Sequence, residues 1–497
     1  MRPLERFKQQ LDRSDLVQFL REGLVGEKSC IEGPAGPKRL IYADYVASGR
    51  ALHQIESFIL NEVLPYYANS HTEASYCGSF TTRLREEARR EIVRMVGAGK
   101  GTSDIFAGSG ATAGINKLVR LLDIERRTRA GERIVVFVGP YEHHSNLLPW
   151  RESGAAVVEI EEAPGGGPDL DRLSEALTEA ADADLTIGAF SAASNVTGIV
   201  TATGPVTRLL KKHGALAFWD YAGGAPYLPL SMAEETDAPK DAIVFSPHKF
   251  PGGPGASGVL VLREDIVAVD RPTAPGGGSV RFVSPWEHDY APSLVSREEA
   301  GTPNIIGDIR AALVLLVKEK VGQDHIDRRD AELRRRATER WKKNPSIEML
   351  DGARAGSLPI FSFRVRDGQG GHIHHQLFTR MLSDFFGIQA RGGCACAGPY
   401  AHRLLGIDEQ ASHDLSCAIR SGREIEKPGW IRLNFSYLLD DEQADAIIDG
   451  VDRLARSALD YSSLYRCDRA TARFTFDDKD AMPPAMKREQ SHSRTSE

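Results

Sequence analysis

The sequence predicts an α/β protein built on a mostly parallel sheet, with ligands gathered at the carboxyl ends of its strands. Three observations carry that prediction. Between about residues 100 and 250, short apolar runs alternate with amphipathic helical stretches, the pattern of strands joined by crossover helices. Directly after several of the apolar runs stand glycines, histidines, an asparagine and a carboxylate. The third is the stretch 243–262, I-V-F-S-P-H-K-F-P-G-G-P-G-A-S-G-V-L-V-L, where two apolar runs at 242–245 and 259–262 bracket a turn that holds Lys249.

A lone lysine after a buried strand, preceded by Ser246 and His248 and followed by four glycines, suits an amine near an apolar site, where its pKa can fall and it can form an imine. The competing reading is a solvated loop lysine. No G-x-x-x-x-G-K-[ST] string surrounds Lys249, which excludes a Walker-type phosphate loop.

At 497 residues the chain predicts two or three globular units. Its 41% hydrophobic and 26% charged residues are those of an ordinary globular enzyme. A net charge of -7 argues against binding nucleic acid through a broad basic surface. No run is long and apolar enough for a membrane span, and the first ten residues lack the apolar core of a signal peptide; a cytoplasmic location is expected. Six cysteines in such a chain read as reduced thiols rather than a disulfide framework.

In chain order, residues 1–38 read as an N-terminal arm, helical at first and ending in Gly33-Pro34-Ala35-Gly36-Pro37. Residues 82–96 form a charged amphipathic helix of scaffold type. At 104–112 a strand breaks into Gly108-Ser109-Gly110 and a helix begins at Ala111 and Thr112. The free N–H groups and positive dipole end at such a start suit a phosphate. The run 133–138 delivers Glu142-His143-His144-Ser145-Asn146-Leu147-Leu148-Pro149-Trp150. Adjacent histidines could suggest a metal, but neighbours on a turn rarely aim at one ion. The run 185–190 ends in a turn containing Asn195, and the run 215–219 ends at Asp220. A carboxylate there is costly unless paired. Residues 271–304 read as loop-rich. His372, His374 and His375 open an amphipathic helix, and Trp430 begins the last strand. Cys394-Ala395-Cys396 could bind metal or cycle as a disulfide, yet no second pair of suitable spacing accompanies it.

Ser246-x-His248-Lys249 with its glycines, the nine residues from Glu142 to Trp150, Asp220, and Arg391-Gly392-Gly393-Cys394-Ala395-Cys396-Ala397-Gly398-Pro399 together resemble the class V aminotransferase superfamily of pyridoxal phosphate enzymes, in its cysteine desulfurase and selenocysteine lyase branch. The resemblance spans about residues 40–460. It implies the aspartate aminotransferase fold type I, a large domain (39–308) around a mostly parallel seven-stranded sheet, a smaller α/β domain (309–465) and a disordered tail (477–497).

It further implies pyridoxal phosphate held by Lys249, with Asp220 on the pyridine nitrogen and His143 stacked on the ring and exchanging protons. Asn195 falls on the phenolic oxygen, and Ala111 and Thr112 on the phosphate, with Ser246 and His248 beside them. Arg391 falls on the substrate carboxylate and Cys396 on the persulfide position. Thr302 reaches the partner chain's phosphate in a homodimer, and a sulfur-acceptor protein is a possible partner for the small amino-acid chemistry. The chain departs from relatives at Gly223, where many carry glutamine, and at Cys394, where many carry histidine. Those departures keep an alternative open: an aminotransferase, epimerase or carbon–sulfur lyase in which Cys396 is a bystander.

Overall fold

The structure, a computed structural model, describes residues 2–70, 72–233, 236–350, 354 and 356–477. The tail expected at 477–497 thus lies, from residue 478 onward, outside the described residues. The chain divides into two compact units, one of residues 1–25 and 46–329, the other of residues 26–45 with the chain from Asp330 onward.

The first unit is organised on seven strands: β1 (Thr102–Gly108), β2 (Ile134–Val138), β3 (Ala156–Glu159), β4 (Leu185–Ser191), β5 (Leu216–Asp220), β6 (Ala242–Phe245) and β7 (Gly258–Arg263). Their order is β1-β7-β6-β5-β4-β2-β3. Only β7 runs against the others. It follows β6 through the glycine-rich connection 246–257, whose one helical piece is the short turn Pro247–Lys249, so no crossover helix brings it round as a parallel neighbour. All five residues of β2 and all four of β6 are buried, as expected for central strands covered on both faces. The start of β7 touches the start of α2 (Gly110–Leu121): a Cβ on Gly258 would lie 2.4 Å from the Gly110 carbonyl oxygen, so only glycine allows this approach.

The segment 271–304 differs from its loop-rich reading. It holds a hairpin, Val280–Val283 with His288–Tyr290, and a short helix, Leu294–Glu298. The hairpin leaves Phe282, Val283 and Trp286 exposed, and strands without a buried face give no alternating pattern to read. Two successive glutamates at the end of the short helix tie the segment to the sheet unit. Lys117 of α2 donates to Glu298 at 2.6 Å and to Thr273 at 3.0 Å. Glu299 accepts from Arg89 at 2.9 Å, from the Phe106 backbone N–H at 2.8 Å and from Arg85, the arginines belonging to α1 (Tyr76–Met95). Arg85 also donates to Asp308, at 2.7 Å, at the start of α3 (Ile305–Val321). Both arginines are buried. Glu299→Ala is therefore expected to destabilise the first unit by about 1–3 kcal/mol, because buried donors of Arg85, Arg89 and the Phe106 N–H lose their acceptor while Asp308 and Asp104 still pair the two arginines; urea unfolding followed by circular dichroism measures it.

The second unit is a sheet of β8 (Ile347–Met349), β9 (Ile360–Arg366), β10 (Arg391–Gly393) and β11 (Trp430–Asn434) in the order β8-β9-β11-β10, all antiparallel. Helices α4 (His375–Phe386) and α5 (Asp441–Ser462) belong to the same core as Trp341, Phe361, Phe363 and Phe435. Residues 26–45 are part of this unit because Ile41–Tyr42 pairs in parallel with Ile388–Gln389. Two sequence expectations need correction. β11 is not the last strand, since Tyr465–Asp468 pairs with Arg473–Phe476. The three histidines do not all open a helix: His372–Ile373 pairs with β9, and His374 caps α4 by accepting the Gln376 N–H at 3.2 Å. Among the described residues no helix is long and apolar enough to cross a membrane.

Candidate active site

In the first unit, β2, β4, β5 and β6 deliver their carboxyl ends to one edge of the sheet, which is where ligands bind in such folds. The sequence-predicted residues follow those ends. Asp220 closes β5, 5% exposed, and its Oδ1 accepts the Ala222 N–H at 2.7 Å. Burial raises its pKa, while that N–H and the charge of Lys249 pull it back. Lys249 is half-buried in a short helical turn, Pro247–Lys249, after β6. Burial, and then the Lys249 charge, push His248 down to about 4, so its imidazole is neutral. Asn195 is buried in the turn after β4, packed against Gly223.

The start of α2 is shaped for an anion. Gly108 and Gly110 take φ of 72° and 71°, and the Ser109 side chain does not cap the helix. The Ala111 N–H donates to Ser246 Oγ at 2.8 Å. The exposed Thr112 hydroxyl lies 2.6 Å from Ser145 Oγ. Ser145 in turn fixes His143: its backbone N–H donates to His143 Nδ1 at 3.1 Å, which places the ring proton on Nε2. Thr302 is exposed and accepts from Asn69 Nδ2 at 3.4 Å.

Sequence reasoning drew only His143 from the nine-residue string and missed the scaffold beneath it. Glu142 is buried and accepts four hydrogen bonds: Gly139 N–H at 3.2 Å, Ser191 N–H at 2.8 Å, Ser191 Oγ at 2.6 Å and Asn146 Nδ2 at 2.6 Å. Trp150 Nε1 donates to Asn146 at 3.3 Å. The spacing Glu142, Asn146, Trp150 was the available signal. Burial pushes the Glu142 carboxyl up to about 7 against the hydrogen bonds from Ser191 and Asn146, with a further push from Asp220. A raised carboxyl pKa means the folded protein takes up a proton that the unfolded chain releases, so this group costs stability as pH rises through that window. Glu142→Gln removes the penalty: its melting temperature relative to wild type is expected to improve steadily from about pH 5 to about pH 8, measured by thermal unfolding of both proteins across that range.

In the second unit the predicted Arg391 is held by a carboxylate that the sequence reading did not single out. Asp44 accepts from Arg391 Nε at 2.9 Å and from Arg432 Nη2 at 3.0 Å. The two arginines are direct partners across β10 and β11. Arg432 is buried, whereas half the Arg391 side chain is exposed. Two guanidiniums on one carboxylate leave a net positive charge, which suits a carboxylate ligand. Beyond Gly393 the chain makes a tight turn: Ala395 and Cys396 both take φ of 55°, and the Ala397 N–H donates to the Cys394 carbonyl at 3.2 Å. Left-handed backbone at two successive residues with side chains is strained, which is frequent at functional sites. Cys396 is exposed, Cys394 half-buried, and neither is in a disulfide. A negative charge on the Cys396 sulfur would act on Arg432.

The first-unit residues fit pyridoxal phosphate. A buried carboxylate beside a lysine charge matches a pyridinium with an amine near it, and the uncapped start of α2 matches a phosphate.

The family described as Aminotransferase class-V matches residues 41–432. A protein of Staphylococcus aureus (strain Mu50) named probable cysteine desulfurase is 28% identical over 367 residues, 73% of this chain and 84% of that one. A protein of the same name from Staphylococcus epidermidis (strain ATCC 12228) is 28% identical over 395 residues, 78% and 91% of the two chains. Among solved structures, a cysteine desulfurase of Thermococcus onnurineus superposes with a TM-score of 0.71 at 22% identity, over 88% of this chain and 98% of that one. One from Escherichia coli gives 0.65 at 23% identity, over 86% and 97%.

Proposed function

This chain belongs to the class-V aminotransferase family, and from that premise we propose that it is a pyridoxal phosphate-dependent desulfurase, taking sulfur from L-cysteine, or selenium from selenocysteine, and leaving alanine and a persulfide on Cys396. The observation that carries the reading is an exposed thiol on a strained turn directly after Arg391, in a chain whose Lys249 charge bears on a buried Asp220. The names of the relatives support it.

Arg391, its Nε held by Asp44, binds the substrate carboxylate through its remaining guanidinium donors. Lys249, His143, Asp220, Asn195, Ser246, His248, Ala111 and Thr112 hold the cofactor. When bound, pyridoxal phosphate supplies a ring that withdraws electrons from the substrate Cα. The Lys249 amine removes the Cα proton and later returns one. Asp220, ionised, keeps the positive charge it faces in place. His143, with its proton on Nε2, donates and recovers a proton beside the reacting carbon. The Cys396 thiolate attacks the substrate sulfur; the carbon–sulfur bond breaks, its electron pair stays on carbon, and protonation there gives alanine. The same reading makes the protein a cytoplasmic homodimer in which Thr302 serves the partner's site, with a sulfur-acceptor protein taking the persulfide sulfur.

The test is to incubate the purified, cofactor-loaded protein with L-cysteine and quantify alanine against pyruvate. Alanine is expected. Pyruvate, or turnover of amino acids without sulfur at equal rates, points to the lyase or aminotransferase reading that Gly223 keeps open.

A further inference from the structure

The turn at residues 394–397 holds two thiols, and the desulfurase reaction uses one. Its geometry bears on the other. The Ala397 N–H to Cys394 carbonyl bond and the positive φ of both central residues are those of a type I′ β-turn, which asparagine and glycine normally supply. Here the central residues are Ala395 and Cys396. Two Cα steps of about 3.8 Å bent through such a turn leave the Cα atoms of 394 and 396 roughly 5.5 Å apart, inside the range of about 4.4–6.8 Å that a disulfide accepts. Cys396 is exposed and Cys394 half-buried, and the buried Arg432 lies within electrostatic reach of Cys396. None of the other free cysteines, Cys30, Cys77, Cys417 and Cys467, shares this turn.

We propose that Cys394 is a resolving thiol that discharges the Cys396 persulfide, so that the enzyme releases sulfide when no acceptor takes the sulfur. This rests on the desulfurase reading only for the origin of the persulfide. The Cys394 thiolate attacks Sγ of Cys396. A Cys394–Cys396 disulfide forms, the persulfide S–S bond breaks, and the outer sulfur departs as HS⁻ with the bond's electron pair; the Cys394 proton goes to solvent. No external oxidant is needed, because the persulfide sulfur accepts the two electrons. Two electrons from a low-molecular-weight thiol, oxidised to its own disulfide, restore the dithiol. The turn thereby also becomes a redox brake, since the closed disulfide leaves no Cys396 thiolate to attack substrate.

The experiment charges the holoenzyme in two ways, with L-cysteine and with sodium tetrasulfide, which loads sulfur onto thiols without the cofactor. Samples are then freed of small molecules, quenched by alkylation over time, and mapped by non-reducing mass spectrometry with sulfide assayed in parallel. In the wild type, the expected result from either donor is a Cys394–Cys396 disulfide with one sulfide released per disulfide. In Cys394→Ser, and in Cys394→Ala as a second variant, the persulfide on Cys396 is expected to last at least about tenfold longer. Equal persulfide lifetimes in wild type and both variants, or no intramolecular disulfide from tetrasulfide, overturns the proposal. A disulfide from tetrasulfide but none from L-cysteine upholds the thiol pair and counts against the desulfurase reading instead.

Discussion

Lys249→Ala is expected to lower alanine formation from L-cysteine by at least about 10³-fold, the scale of losing a positioned proton-transfer group, together with the covalent attachment point of the cofactor. The fold is expected to persist, because Lys249 is half-buried in a turn after β6 rather than in the core of the sheet. The electrostatic consequence is specific. The Lys249 charge lowers the pKa of the buried Asp220, so in the variant without cofactor that carboxyl rises further, and its ionised form costs more. The His248 imidazole, depressed in part by the same charge, moves up towards its ordinary range. Both shifts can be followed in the cofactor-free variant by NMR titration of the His248 ring and the Asp220 carboxyl carbon. An unchanged rate of alanine formation in Lys249→Ala, or an unmoved His248, contradicts the assigned site.

The second large effect is at Cys396. Replacement by alanine is expected to cut sulfur removal from L-cysteine by at least about 10²-fold, since the covalent route through a thiolate nucleophile is gone. Cofactor binding is expected to be unchanged. Exchange of the substrate Cα proton with deuterated solvent is expected to continue, because Lys249 and Asp220 are untouched. That split separates a lost nucleophile from a damaged site. If sulfur removal and proton exchange fall together, Cys396 acts by holding the turn rather than by attacking sulfur. If neither falls, the enzyme is of the lyase or transaminase type.

Much of the first unit was legible because burial on both faces writes itself into the chain as short apolar runs. The runs at 133–138, 185–190, 215–219 and 242–245 fall on β2, β4, β5 and β6 to within a residue or so, and the proposed site residues of the first unit come shortly after them. What stayed hidden was non-local. The Asp44–Arg432 ion pair joins positions 388 residues apart, and Arg85–Glu299 joins positions 214 apart; no periodicity announces either. Arg432, inside the apolar strand W-I-R-L-N, was the available hint, since a buried guanidinium requires a carboxylate. The turn at Ala395–Cys396 escaped for the opposite reason. Positive φ is normally announced by glycine or asparagine, and here neither is present. The exposed hairpin at 280–290 escaped because its side chains face solvent on both sides and carry no alternation.

In the proposed reaction Cys396 carries the sulfur. The most direct measurement is peptide mapping by mass spectrometry of the cofactor-loaded Cys394→Ala protein, in which the charged form is not drained, quenched seconds after mixing with L-cysteine. One added sulfur on the Cys396 peptide, with one alanine formed per site, is the predicted result. An unmodified Cys396 in protein that has bound its cofactor and consumed L-cysteine contradicts the account.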